Sequence, residues 1–167
     1  MKKALLVMDM QNVCLGEKHS IFFKYDSEKL IKAVNEVIEA NSDSVIVYIR
    51  HVLKRNPITA LSPVKVFADS ELAECVDGLK IVSDNVFDKY ASNAFSNPEL
   101  HKFLSGENVE VVEVVGLDGG GCASNTAIGA IENGYKVIMN TKAIGTMLKK
   151  SRDRLFKKLE KLGAEFV

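Results

Sequence analysis

Apolar residues fall into two kinds of run along this chain. The first kind is continuous and short: "KALLVMD" from Lys3, "DSVIVYIRH" from Asp43, "VEVVEVV" from Val109, "YKVIMN" from Tyr135 and "AEFV" at the end. Such runs, rich in Val and Ile and bounded by polar residues or glycine, predict strands buried on both faces. The second kind recurs every three to four residues: "SEKLIKAVNEVIEAN" from Ser27, "NPELHKFLSG" with Pro98 at its first helical position, "CASNTAIGAIEN" before Gly134, and "SRDRLFKKLEKL" before Gly163. These predict amphipathic helices, with proline at the start and glycine past the end as stereochemistry prefers. A short helix capped by Asp69 or Ser70 fits "DSELAECV", and residues 52 to 69, with Pro57 and Pro63, read as a surface loop. Strands alternating with helices predict an α/β fold, a mostly parallel sheet covered on both faces.

Composition narrows the partners. At 167 residues, 47% of them hydrophobic, the chain is expected to form a single domain over 1–167 with a substantial core. Its 22 basic and 22 acidic residues balance, which points away from nucleic acid and membrane surfaces and towards a small-molecule partner. Cys14, Cys75 and Cys122 are odd in number and widely spaced, which fits free thiols in a reducing, cytoplasmic setting rather than a disulfide framework. The apolar run after Lys2 and Lys3 stops at Asp9, too short for a secretory or membrane-spanning segment.

In parallel sheets ligands collect at the carboxyl ends of the strands. Asp9 closes the first strand, and Cys122 follows the "VEVVEVV" strand through a glycine turn at the start of a helix. A thiol there meets the positive end of the helix dipole and free N–H groups, which favour a thiolate and can hold an oxyanion. Taken singly, each residue also has an ordinary reading. Cys122 is then a small core residue, Asp9 a cap, Lys89 a solvated lysine, and Cys14 and Cys75 passive packing residues. His19, His51 and His101 stand isolated, with no pair at a metal-ligand spacing.

Three motifs in order, "ALLVMDMQN", "DKYASNAFSNPELHKFL" and "VVEVVGLDGGGCASNTAIGAIENGYKVIM", span nearly the whole chain. Together they resemble the isochorismatase-like cysteine hydrolases, a family that includes nicotinamidases and several carbamoyl or ureido amidohydrolases. The resemblance implies a Rossmann-like three-layer α/β/α fold and a catalytic set of Asp9, Lys89 and Cys122. It further implies an oxyanion hole from the backbone N–H groups of Asp118 and Cys122, a cis peptide between Leu117 and Asp118, and homo-oligomerisation. Gln11, Cys14, His51 and Gly119 become candidates for the pocket.

This chain also departs from the family pattern. Gly119 stands where a threonine is usual, which predicts a looser oxyanion loop; Cys14 replaces a common aromatic wall; and Thr141-Lys142-Ala143 replaces a common Asp-Ala. Metal-binding members carry an aspartate and several histidines after the second strand, where this chain offers only His51, so neither metal nor cofactor is expected. The expected activity is metal-independent hydrolysis of a C–N bond in a small amide, ureide or carbamoyl compound through a thioester. The alternative is a non-catalytic member that keeps the fold to bind a ligand or to oligomerise.

Overall fold

The computed structural model describes residues 1–17 and 23–167; His19 lies outside the described residues. Six strands form one parallel sheet: β1 (Lys3–Met8), β2 (Val45–His51), β3 (Val86–Lys89), β4 (Val111–Gly116), β5 (Lys136–Ile144) and β6 (Glu165–Phe166), in the order β3-β2-β1-β4-β5-β6. The helices are α1 (Asn12–Leu15), α2 (Ser27–Ala40), α3 (Pro57–Ala60), α4 (Pro98–Gly106), α5 (Cys122–Glu132) and α6 (Lys149–Lys161).

The runs that form β1, β2 and β4 are buried along most of their length, whereas β5 alternates buried and partly exposed positions and β6, on the sheet edge, leaves Glu165 exposed. Along β1, Ala4, Leu6 and Met8 face a core built with Leu100 and Leu104 of α4, Ala123 and Ala127 of α5 and Leu159 of α6. Leu5 and Val7 face the other core, built with Leu15 of α1 and Leu30, Val34 and Ile38 of α2. The strand period of two therefore feeds both layers, and each fully buried aliphatic side chain contributes roughly 1.5–3 kcal/mol of transfer free energy. In α2 the buried residues recur every four positions, and Asp26 caps the helix by accepting from the Lys29 N–H at 3.2 Å. The charge inside the central strand β4 is matched: Glu113 accepts from Lys3 Nζ at 2.8 Å and from Asn140 at 2.9 Å.

Three elements differ from the pattern-based expectation, the first being α3 inside residues 52–69, a stretch expected as surface loop that also buries Val52, Val66 and Phe67. The strand β3 falls inside the polar stretch before "YASNAF"; four residues long and on the sheet edge, with Val86 exposed and only Lys89 buried, it carries too little apolar signal to be seen. The segment expected as a short helix near Ser70 is a single 3-10 turn, Glu71–Ala73. Among the described residues, no helix is long and apolar enough to cross a membrane.

Candidate active site

The order of strands places a topological switch at β1 and β4. The chain runs outward from β1 to β2 and β3, then returns to β4 on β1's other side. The crevice over those carboxyl ends is where open α/β sheets bind ligands. Four neighbouring strands each deliver one side chain to it. Asp9 follows β1, His51 ends β2, Lys89 ends β3, and Cys122 opens α5 after β4.

Asp9 turns out of β1 with φ 50, a left-handed conformation that aspartate tolerates better than most residues, and its N–H donates to the Ile49 carbonyl at 2.9 Å. The turn buries its carboxylate. Lys89 is buried as well and pairs in register with His51 across β2 and β3. Its Nζ lies 3.0 Å from Asp9 Oδ2, 3.2 Å from Cys122 Sγ and 3.1 Å from His51 Nδ1. An ammonium has three N–H donors and no acceptor, so each proton has one partner. Asp9 Oδ1 is the one buried side-chain oxygen or nitrogen without a hydrogen bond among the described residues. Cys122 Sγ lies 3.9 Å from His51 Nδ1, and Asp9, His51 and Cys122 each bring an atom within 4.8 Å of the others.

The loop entering α5 is held at almost every peptide. Gly116 at the end of β4 has φ +95, and a Cβ there would strike the backbone of Met8, so glycine lets the two central strands converge under the crevice. The peptide between Leu117 and Asp118 is cis. Asp118 Oδ1 accepts from the Gly120 N–H at 2.6 Å, and its Oδ2 from the Tyr25 hydroxyl and the Met147 N–H, both at 2.7 Å. The Asp118 carbonyl accepts from Gly121 and Ala123, Ser124 Oγ donates to the Gly119 carbonyl at 2.6 Å, and Ser151 Oγ to that of Gly120 at 2.7 Å. Among the described residues, the N–H groups of Asp118 and Cys122 have no hydrogen-bond acceptor. The looser loop expected from three glycines is thus corrected: side chains and neighbouring peptides tether it.

Two candidates for the pocket, Gln11 and Gly119, are held by other contacts. Gln11 is buried, and its amide is spent on backbone: Oε1 accepts from the His51 N–H at 2.7 Å, and Nε2 donates to the carbonyls of His51 and Ala73 at 3.1 and 3.0 Å. It therefore clamps the end of β2, with both amide N–H donors spent on backbone carbonyls. Gly119 donates its N–H to Gly145 at 2.9 Å, and a Cβ there would lie 2.6 Å from Thr146 Oγ1 and 2.9 Å from Ile144, so it packs against the chain after β5. His51, the third pocket candidate, stands inside the cluster. Cys14 lies close enough to feel the charges of Asp9, Cys122 and Lys89, and it packs on both the α2-side core and a smaller cluster of Val13, Val52, Val66 and Ala73. The aromatic surface beside those clusters comes from Phe23 and Tyr25, whose rings stack 6.2 Å apart. No motif in the sequence announces that pair.

Electrostatics correct one further expectation. Burial pushes the Cys122 thiol up and the Asp9 carboxylate pushes it the same way, while Lys89 pulls it down through charge and hydrogen bond; the balance lies above the ordinary cysteine range. These contributions favour the protonated thiol of Cys122 over the thiolate expected at a helix N-terminus. Burial, then Asp9 and Cys122, push Cys14 up to about 12. Burial and then Lys89 push His51 below the usual histidine range, so it is neutral at neutral pH.

An α/β domain with a cysteine, a carboxylate and a lysine gathered at its switch point is the class that fold and site define. The isochorismatase domain matches residues 3–167, and the chain belongs to that family. No curated protein matches the chain in sequence. Its fold is similar to that of an isochorismatase-like hydrolase from Alkaliphilus metalliredigens, at 22% identity over 99% of this chain and 93% of that one, with a TM-score of 0.85. N-carbamoylsarcosine amidase from Thermoplasma acidophilum is similar at 23% identity, over 99% and 95% of the two chains, with a TM-score of 0.82. Pyrazinamidase of Pyrococcus horikoshii, in complex with zinc, is similar at 23% identity over 100% and 99%, with a TM-score of 0.84. A buried ammonium disfavours a zinc ion in the Asp9, His51 and Cys122 cluster of this chain. Asp9, His51 and Cys122 each offer a ligand atom within 4.8 Å of the others, but Lys89 Nζ stands among them and hydrogen-bonds Asp9 Oδ2, His51 Nδ1 and Cys122 Sγ, so its charge opposes a cation there.

Proposed function

We propose that this protein is a metal-independent cysteine hydrolase that cleaves the C–N bond of a small amide, ureide or carbamoyl compound. The convergence of Asp9, Lys89 and Cys122 within hydrogen-bond reach carries this reading. The Asp9 carboxylate takes the thiol proton as Cys122 Sγ attacks the carbonyl carbon, and the negative charge passes to the carbonyl oxygen. The N–H groups of Asp118 and Cys122 hold that oxyanion, and the tethered loop keeps them in place before the reaction begins. Protonated Asp9 then gives its proton to the departing nitrogen, the C–N bond breaks, and a thioester remains. Asp9, again a carboxylate, deprotonates a water that attacks the thioester; the C–S bond breaks, and Asp9 returns the proton to Cys122. Lys89 stays charged throughout and keeps both partners facing each other.

The family membership and the amidase among similar folds support this reading. The test is ammonia release from panels of small amides, ureides and carbamoyl compounds, with and without a strong chelator, alongside Cys122→Ala. Turnover that survives chelation, is lost in Cys122→Ala and leaves an acyl adduct on Cys122 in rapidly quenched samples is the expected result. Turnover restored only by added metal, or equal in Cys122→Ala, would overturn it.

A further inference from the structure

The reading of Cys122 as nucleophile assigns tasks to Asp9 and Lys89 and leaves His51 unexplained. Its placement is specific. Gln11 grips both the N–H and the carbonyl of its backbone, and its ring nitrogen Nδ1 lies 3.1 Å from Lys89 Nζ. Since an ammonium only donates, Nδ1 accepts, and the ring proton is held on Nε2.

We propose that His51 is a positioning residue: its Nδ1 takes the third N–H of Lys89 and so orients the other two N–H groups on Asp9 and Cys122. Without that acceptor a buried ammonium has one unsatisfied donor, and it turns to share its protons between two partners instead of presenting one to each. The inference rests on the proposed role of Cys122. The charged and titratable groups facing His51 are Lys89 on β3, Asp9 after β1 and Cys122 on α5; Gln11 behind it is neutral. Protonation of His51 turns Nδ1 into a donor against Lys89, so the arrangement is lost as pH falls through the depressed value of His51, below the ordinary histidine range.

His51→Asn keeps an acceptor the same number of bonds from the backbone as Nδ1; His51→Leu removes it. The experiment follows carboxamidomethylation of Cys122 by iodoacetamide as a function of pH, by peptide mass spectrometry, with far-UV circular dichroism to check folding. It needs no substrate. His51→Leu is expected to alkylate roughly tenfold more slowly at neutral pH, the scale of one charge-assisted hydrogen bond, with His51→Asn near the wild-type rate. The wild-type profile is expected to fall more steeply on its acid side than either variant, because only it carries the imidazole. Equal rates and profiles in wild type and folded His51→Leu overturn the inference, as do Asn and Leu variants that are equally slow. A wild-type Cys122 that alkylates no faster than Cys75 is a different result: it removes the nucleophile reading and this inference together.

Discussion

Lys89 and Asp9 form a buried ion pair, 3.0 Å between Nζ and Oδ2, although the strands that present them are separated in the sheet by β2. With side-chain exposures of 1% and 7%, neither charge has water to fall back on. Lys89→Met should therefore cost about 3–5 kcal/mol at neutral pH, the price of leaving one buried charge unpaired. Asp9→Leu/Lys89→Met should recover part of that loss. Urea denaturation of the two variants checks both statements, and a double variant less stable than Lys89→Met would contradict the assignment.

Asp9 has opposite effects on two measurable properties of Cys122. In the proposed mechanism its carboxylate accepts the thiol proton, yet at rest it pushes the thiol up. Asp9→Asn should cut turnover by at least roughly 10²-fold. The same variant should alkylate Cys122 faster at neutral pH, because Lys89 then acts on the thiol unopposed. Parallel assays of ammonia release and iodoacetamide labelling separate the two effects.

Cys14 and Cys122 share the site but not its chemistry. Cys14 is pushed up to about 12 by burial and then by Asp9. Folding thus favours its protonated form, and as pH rises past the ordinary thiol value Cys14 should remain unlabelled while the unfolded chain reacts readily. Cys122 carries a lysine hydrogen bond that opposes its burial, and should label first in the folded protein. Peptide mapping after limited alkylation between neutral and mildly alkaline pH reports the order.

Gly119 is a packing position. A Cβ there would press on Thr146 Oγ1 at 2.6 Å and Ile144 at 2.9 Å. Gly119→Ala should destabilise by about 1–3 kcal/mol, as overpacking does, and Thr146→Gly in the same chain should relieve part of the cost. Restoring the family's threonine at this position should not raise activity. Thermal melts and the ammonia assay decide these points.

Asp118 joins three segments through its carboxylate: the Tyr25 hydroxyl, the Met147 N–H and the Gly120 N–H all donate to it. Asp118→Ala should slow turnover with little change in KM, because it loosens the backbone proposed to hold the oxyanion rather than a group that binds ground-state substrate. A change confined to KM would place Asp118 in substrate binding instead.

The alternation of buried runs and helical periods in the sequence determined the α/β class, because both patterns are local consequences of burying one strand or one helix face. The Asp9 and Cys122 candidates were legible for the same reason: each interrupts or follows an apolar run at the end expected to bind ligands. Lys89 was legible through its motif alone, since the short edge strand that carries it has almost no apolar signature. What tertiary structure decided is how these groups meet. The parallel register of β2 and β3 sets His51 beside Lys89, and the return of the chain to β4 sets Cys122 against both. It also withdrew Gln11 and Gly119 from the pocket, because the partners that consume their hydrogen-bonding groups lie 40 residues away at His51 and on the chain after β5. The protonation state of Cys122 was beyond sequence as well. A helix N-terminus and a lysine argue for a thiolate, but burial and a neighbouring carboxylate, which only the packed structure supplies, outweigh them.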